Sequence, residues 1–180
     1  MDHFPLLPVE DEGRLYDPEL RENFFERIFT LKRWREALAR KESLRNLVDF
    51  HTRHKLLIFS HSPKHSQLMG KLVGRAKDLP LRELYQQYRT FLMDSLQLKA
   101  TPKKNANVLQ RMTGYFKEKL PPDEKQELLA IIDLYRQGYL PLIVPITLIN
   151  HYVRKYDPPY LKQQIYLNPH PLELQLRNHV

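Results

Sequence analysis

Apolar residues recur every three to four positions through most of this chain, in blocks parted by proline, glycine and short polar stretches, a pattern that predicts helices. Asp17-Pro18 supplies an N-cap and a proline at the first helical position. Leu20, Phe24, Ile28, Leu31, Trp34 or Arg35, and Leu38 then extend a long first helix to about residue 41. Ser43 can cap a second, whose stripe of Leu44, Leu47, Val48, His51, Lys55 and Ile58 or Phe59 stops near Ser60. Ser62-Pro63 opens a third helix to about Lys77, with Leu68, Leu72 and Val73 inward. Residues 81 to 97 form a fourth on Leu84, Tyr85, Tyr88, Phe91, Leu92 and Ser95 or Leu96.

Thr101-Pro102 begins a fifth helix that ends near Leu120, and "PPDEKQ" begins a sixth that Gly138 stops. "YLPLIVP" bridges to a seventh at about 145 to 156, and a short eighth follows "DPP" at 157 to 159. Residues 1 to 16, with Pro5, Pro8 and Gly13, read as an extended arm or linker, and the tail "NPHPLELQLRNHV" reads as irregular. The expectation is an all-α fold: a single domain over 17 to 180, of about eight helices around one core.

Composition narrows the function classes. A chain of 180 residues with 42% hydrophobic content is globular and of one-domain size. The most apolar stretch, "LPLIVPITLI", is too short for a membrane span and holds two prolines, and the N-terminus lacks the pattern of a secretory signal, so a cytoplasmic location is expected. Cysteine is absent, which excludes disulfides, a cysteine nucleophile and any thiolate-held zinc or iron–sulfur site in this chain. The net charge is +8, unevenly spread. Residues 10 to 26 hold seven acids against two arginines, while residues 27 to 78 hold thirteen lysines and arginines against four acids. Such a field attracts nucleic acid or another anionic surface.

Three stretches could carry chemistry. His51 and Lys55 stand four apart on one helix face, a candidate phosphate contact or acid–base pair. The alternative is a partly buried histidine beside a lysine that reaches solvent along its stem. His61 and His65 have metal-like spacing, but Ser62-Pro63 starts a new helix between them and no Glu accompanies them, so no metal and no cofactor are expected. Ser62 reads first as a cap, with an anion at its helix start as a second role.

The fifth helix puts Lys103, Lys104, Asn105 and Asn107 in a first turn where the helix dipole favours acids. A phosphate on that turn would reconcile dipole and lysines. The alternative is a solvated basic turn. Tyr115 and Phe116, farther along, read as core. The tail offers His170, Glu173, Arg177, Asn178 and His179, a density of polar groups that suggests a segment folded back onto the domain or a ligand.

The motifs "FHTRHKLLIFSHSP", "TPKKNANVLQRMTGYFKEKL", "EKQELLAIIDLYRQGYLPLIVPITLINHYV" and "YLNPHPLELQLRNHV" together resemble the YbgA-type domain of unknown function, over roughly residues 44 to 180. Ser60 and Ser66 stand where that family has alanine and usually tyrosine, and Pro102 replaces an arginine of its basic motif. Residues 4 to 34 are similar to the junction in two-domain proteins where a thiouracil desulfidase-type domain precedes a YbgA-type domain. The resemblance implies removal of sulfur from 4-thiouridine in tRNA by those fused proteins, with the YbgA-type domain helping to bind the RNA. A chain without cysteine cannot perform that cluster chemistry alone.

The leading expectation is therefore a tRNA-binding accessory module acting with a desulfidase. Lys55, Ser62, Lys103 and Lys104 would meet phosphates, Asn105 and Asn107 sugar or base edges, and His170, Arg177, Asn178 and His179 would complete the pocket. The alternatives are a stand-alone enzyme on a modified or photodamaged nucleotide, with His51, Lys55, His61 and His170 as acid–base candidates, or an interaction domain whose acidic segment docks a desulfidase in trans.

Overall fold

The computed structural model describes residues 6–39 and 42–178, with the side chains of Leu38 and Ala39 outside that set. It is all-α, with no strand among the described residues, and the chain gathers into two compact units, residues 1–99 and 100–180.

The first unit holds α1 (Pro18–Ala39), α2 (Leu44–His61), α3 (Pro63–Gly74) and α4 (Leu81–Gln97). Before α1 the arm is not wholly extended: Gly13–Tyr16 makes a 3-10 turn, and Glu10 pairs with Arg14 at 3.1 Å. The Asp17 carboxylate accepts from the N–H groups of Glu19 (2.8 Å) and Leu20 (3.0 Å), which fixes the start of α1. Ser43 caps α2 by accepting from Asn46 N–H, and the Tyr85 hydroxyl donates to the Ser43 carbonyl at 2.9 Å. Ser62 both ends α2 and caps α3, its hydroxyl accepting from His65 N–H, so these helices meet at a sharp corner. Trp34 anchors the core, stacked on Tyr88 (5.3 Å) and edge-on to Phe50 (5.0 Å). Leu84, Tyr85, Tyr88, Leu92 and Leu96 face inward on α4 as the spacing predicts.

Two stripes differ from expectation. On α2, Val48 and Lys55 point outward, while Phe50, His54, Leu57 and His61 are buried. On α1, Leu20, Phe24 and Ile28 are only half-buried. The fully buried positions are Asn23, Glu26, Thr30, Leu31 and Trp34. The innermost line of α1 is thus largely polar, because the residues opposite it offer hydrogen-bonding partners.

The second unit holds α5 (Pro102–Thr113), α6 (Pro122–Arg136), α7 (Ile143–Tyr156), α8 (Pro159–Lys162) and α9 (Pro171–Gln175). Thr101 caps α5, which passes at Gly114–Phe116 into a 3-10 turn instead of running to residue 120. Gly138 (φ +83) closes α6, with Tyr139 N–H donating back to the Leu134 carbonyl at 3.0 Å. Pro145 sits in the first turn of α7, where its missing N–H costs nothing. The tail is more ordered than the prolines suggest: His170 caps α9 in a reciprocal arrangement with Glu173, and Leu176–Asn178 adds a 3-10 turn. Val108, Leu109, Met112, Phe116, Leu128, Ile132, Ile146, Ile149 and Leu161 fill this unit's interior.

No helix among the described residues is long and apolar enough to cross a membrane.

Candidate nucleic-acid interface

The basic character is organised into faces free of carboxylates. Between Asp49 and Asp78 there is no acidic residue, although the segment holds six lysines and arginines, and between Asp94 and Glu118 there is again none. These windows contain α3 and α5. Each is a helix of 12 residues that opens on a hydroxyl cap, a proline and a lysine. On α3, Lys64, Gln67 and Lys71 are exposed on one side, with Arg75 just past the end, and none of these cations forms an ion pair among the described residues. The rise of a helix spaces Lys64 and Lys71 by roughly 10 Å. On α5, Lys103, Asn107, Gln110 and Arg111 occupy the exposed side. Each face offers cations and amides, the groups that hold phosphates and sugars.

The candidate residues divide into surface and interior. Lys55, Lys103, Asn107 and Asn178 are exposed, and Lys104 is half-buried, its ammonium lowered in pKa by that burial. Asn105 is a correction. It is buried, its amide N–H group donating to the Tyr135 hydroxyl (3.0 Å) and the Ala100 carbonyl (3.4 Å), while its oxygen accepts from the Tyr166 hydroxyl (3.0 Å). Both ends of the side chain serve the interior and cannot read a base edge. Arg177 is likewise internal, 1% exposed: it donates to the Tyr166 carbonyl at 2.6 Å and lies over the Tyr166 ring at 5.0 Å. Asn105 and Arg177 therefore meet on opposite parts of Tyr166, as structural residues and not as a pocket. His170 is exposed but committed to its cap. His179 lies outside the described residues.

The acid–base candidates are not gathered at a surface. His51 is buried with Nδ1 3.1 Å from the Tyr88 hydroxyl, and burial, then Lys55, lowers its pKa to about 4, so it is neutral at neutral pH. This is the structural reading of the His51–Lys55 pair. His61 is fully buried, its Nδ1–H donating to the Leu98 carbonyl at 2.7 Å. Ser62 is buried and accepts from His65 N–H, with His65 Nδ1 at 2.8 Å, so its role is the cap. Among the described residues no cluster of His, Asp and Glu has the makings of a metal site.

Sequence reasoning missed one pair. His61 Nε2 lies 2.9 Å from Glu26 Oε2 inside the first unit, and Asn23 of the same helix face donates to the Leu96 carbonyl at 3.0 Å. The signal was present: Asn23, Glu26, Thr30 and Trp34 repeat at helical spacing, but a stripe built from apolar residues alone passes over the first three. The acidic segment is also partly used internally, Glu26 with His61 and Glu19 with Lys99 at 3.1 Å.

These features define the protein as a basic, all-helical chain with carboxylate-free faces on two helices. The family model described as "Protein of unknown function (DUF1722)" matches residues 55–171, and the chain belongs to that family. It is similar to "Uncharacterized protein YbgA" of Escherichia coli (strain K12), 35% identical over 133 residues, which span 73% of this chain and 79% of that protein. No solved structure matches significantly.

Proposed function

We propose that this chain is a nucleic-acid-binding module, with tRNA as its partner, that presents a thiolated base to a desulfidase carried in cis or in trans. The observation that carries the binding is the pair of exposed faces on α3 and α5, cationic and amide-bearing without a carboxylate, in a chain of net charge +8. Phosphate neutralisation by lysine and arginine is the main source of such affinity. The choice of tRNA and of sulfur chemistry rests on the similarity of residues 4 to 34 to a desulfidase junction, and the absence of cysteine leaves the cluster to the partner. Independent catalysis has less support, because His51 and His61 are buried and His170 is held in a cap.

Electrophoretic titration of the chain with thiolated tRNA, unmodified tRNA and single-stranded DNA at rising salt tests this reading. Binding should fall steeply with salt, and Lys64→Ala with Lys71→Ala, or Lys103→Ala, should weaken it and lower the salt slope by about one per contact removed. Affinity flat in salt and indifferent to these changes overturns the proposal. Adding the chain to a desulfidase at sub-saturating thiolated tRNA should raise turnover, and unchanged turnover removes the desulfidase part.

A further inference from the structure

The basic face of α5 ends on an aromatic surface. Gly114–Phe116 continues the helix as a 3-10 turn, and Tyr115 is exposed like Arg111, Asn107 and Lys103 before it, along a path that winds gradually round the helix over about 18 Å of rise. Tyr115 is 47% exposed, yet its ring is stacked on Tyr160, centroids 5.3 Å apart and planes 13° from parallel. Both rings are held from behind. Phe116 is fully buried against Tyr152 (5.9 Å) and Tyr156 (6.1 Å), and Leu161, next to Tyr160, is fully buried as well. Burial, then the neighbouring Tyr115, pushes the Tyr160 hydroxyl up to about 12, so the lower ring stays uncharged. A ring already stacked and anchored loses little freedom when another ring settles on its open face.

We propose that the open face of Tyr115, backed by Tyr160, is a stacking platform for an unpaired base of a single-stranded nucleic acid whose phosphates run along the Lys103–Arg111 face of α5. This rests on the nucleic-acid reading above and names the form it prefers: a strand with splayed bases over a duplex. Every base has a π face to offer, whereas a duplex spends those faces in its own stack. An isolated exposed tyrosine is ordinary on a protein surface. Here the exposed ring lies on a helix that contributes cations and, from Ser95 to Lys117, no acidic residue, which supplies a charge complement to a polyanion. The acids next along the chain from Tyr115 and Tyr160, Glu118 and Asp157, sit 3.6 Å from Lys117 and 2.7 Å from Lys162. Each of these acids is thus paired with a lysine. Three residues in distinct roles result: two cations for the backbone and one ring for a base.

The test is fluorescence anisotropy on the full chain, with a labelled single-stranded RNA oligonucleotide and a blunt duplex of the same sequence. The proteins compared are the native chain, Tyr115→Ala, Tyr115→Leu, Tyr115→Phe and Lys103→Ala. The single strand should bind more tightly than the duplex. Tyr115→Ala should weaken single-strand binding about 5- to 150-fold, the range for losing one base–aromatic stack, and leave duplex binding unchanged. Tyr115→Phe keeps the π face and should bind as the native chain does. Tyr115→Leu, which fills the same space over Tyr160 without a π face, should lose as much as Tyr115→Ala and serves if the alanine variant unfolds. If Tyr115→Ala and Tyr115→Leu bind the single strand as tightly as the native chain while Lys103→Ala weakens both ligands, the platform is overturned and the nucleic-acid reading stands. Equal losses on strand and duplex also overturn the platform. If the native chain binds neither ligand, both readings fall.

Discussion

His61 and Glu26 face each other across 2.9 Å with neither side chain reaching solvent. The Leu98 carbonyl can only accept, so His61 Nδ1 carries a proton, and Nε2 is the atom that faces the Glu26 carboxyl group. Each side chain is the other's close polar neighbour inside the first unit. Replacing either alone strands a buried polar group. Glu26→Ala or His61→Ala is expected to cost about 3–5 kcal/mol, read as a lower urea midpoint, and the double variant should cost less than the sum of the two. Additive losses would mean that the contact contributes nothing.

Two other histidines of α2 make stability depend on pH. His51 is lowered to about 4 by burial and then Lys55; His54, whose Nδ1–H donates to the Phe50 carbonyl at 2.8 Å, is lowered to about 3 by burial, then the neighbouring Arg33. Each is neutral when folded and titrates near 6.5 when unfolded. Below pH 6.5 the unfolded chain takes up protons that the folded chain refuses, so stability is complete above 6.5 and declines as pH falls toward 4 and 3. Urea unfolding at pH 7.5, 5.5 and 4.5 should show that decline. His51→Gln should flatten part of it, and an unchanged pH slope would exclude His51 as a source.

Asn105 provides a stringent check on which polar residues serve the interior. Asn105→Ala removes the partner of both Tyr135 and Tyr166 and should cost about 2–4 kcal/mol. Nucleic-acid affinity, measured where the variant remains folded, should stay within about twofold of native, because the amide never reaches the surface. A large affinity loss with little loss of stability would return Asn105 to the interface.

Gly138 ends α6 in the left-handed region, and a Cβ added there would meet nothing within 4 Å. Gly138→Ala isolates backbone strain from packing. It should lower stability by about 1 kcal/mol in thermal or urea unfolding, with no change in helix content. A neutral result would mean that the α6 terminus relaxes to another conformation.

Much of this architecture was legible because its punctuation is chemical. Asp17-Pro18, Ser62-Pro63, Thr101-Pro102 and Gly138 each mark a boundary through a cap, a fixed φ or a positive φ, and each boundary stands where those residues predict. The inward stripe of α4 was equally plain, since its apolar residues all serve one core. Reasoning from periodicity failed where polarity was the wrong guide to side. Glu26 and Asn23 are buried because His61 and the Leu96 carbonyl await them, information held some 35 to 73 residues away along the chain. Aromatic character suggests core for Tyr115 as for Phe116, yet only Phe116 fits the interior, since adjacent helical positions point about 100° apart. The Asn105 amide looks like a ligand group in sequence because two tyrosines 30 and 61 residues later give no local sign of needing it.

The polar inner line of α1 has a consequence beyond stability. A purely greasy face can slide along its neighbours or rotate a little at small cost, as one hydrocarbon contact is much like another. Asn23 and Glu26 instead act as keys that fit only the Leu96 carbonyl and His61. A displacement of one turn, about 5.4 Å, would leave each facing the wrong lock. α1 is thereby indexed in both height and rotation against α2 and α4. The 3-10 turn Gly13–Tyr16 just ahead of Pro18 is in turn keyed to a helix that cannot slip.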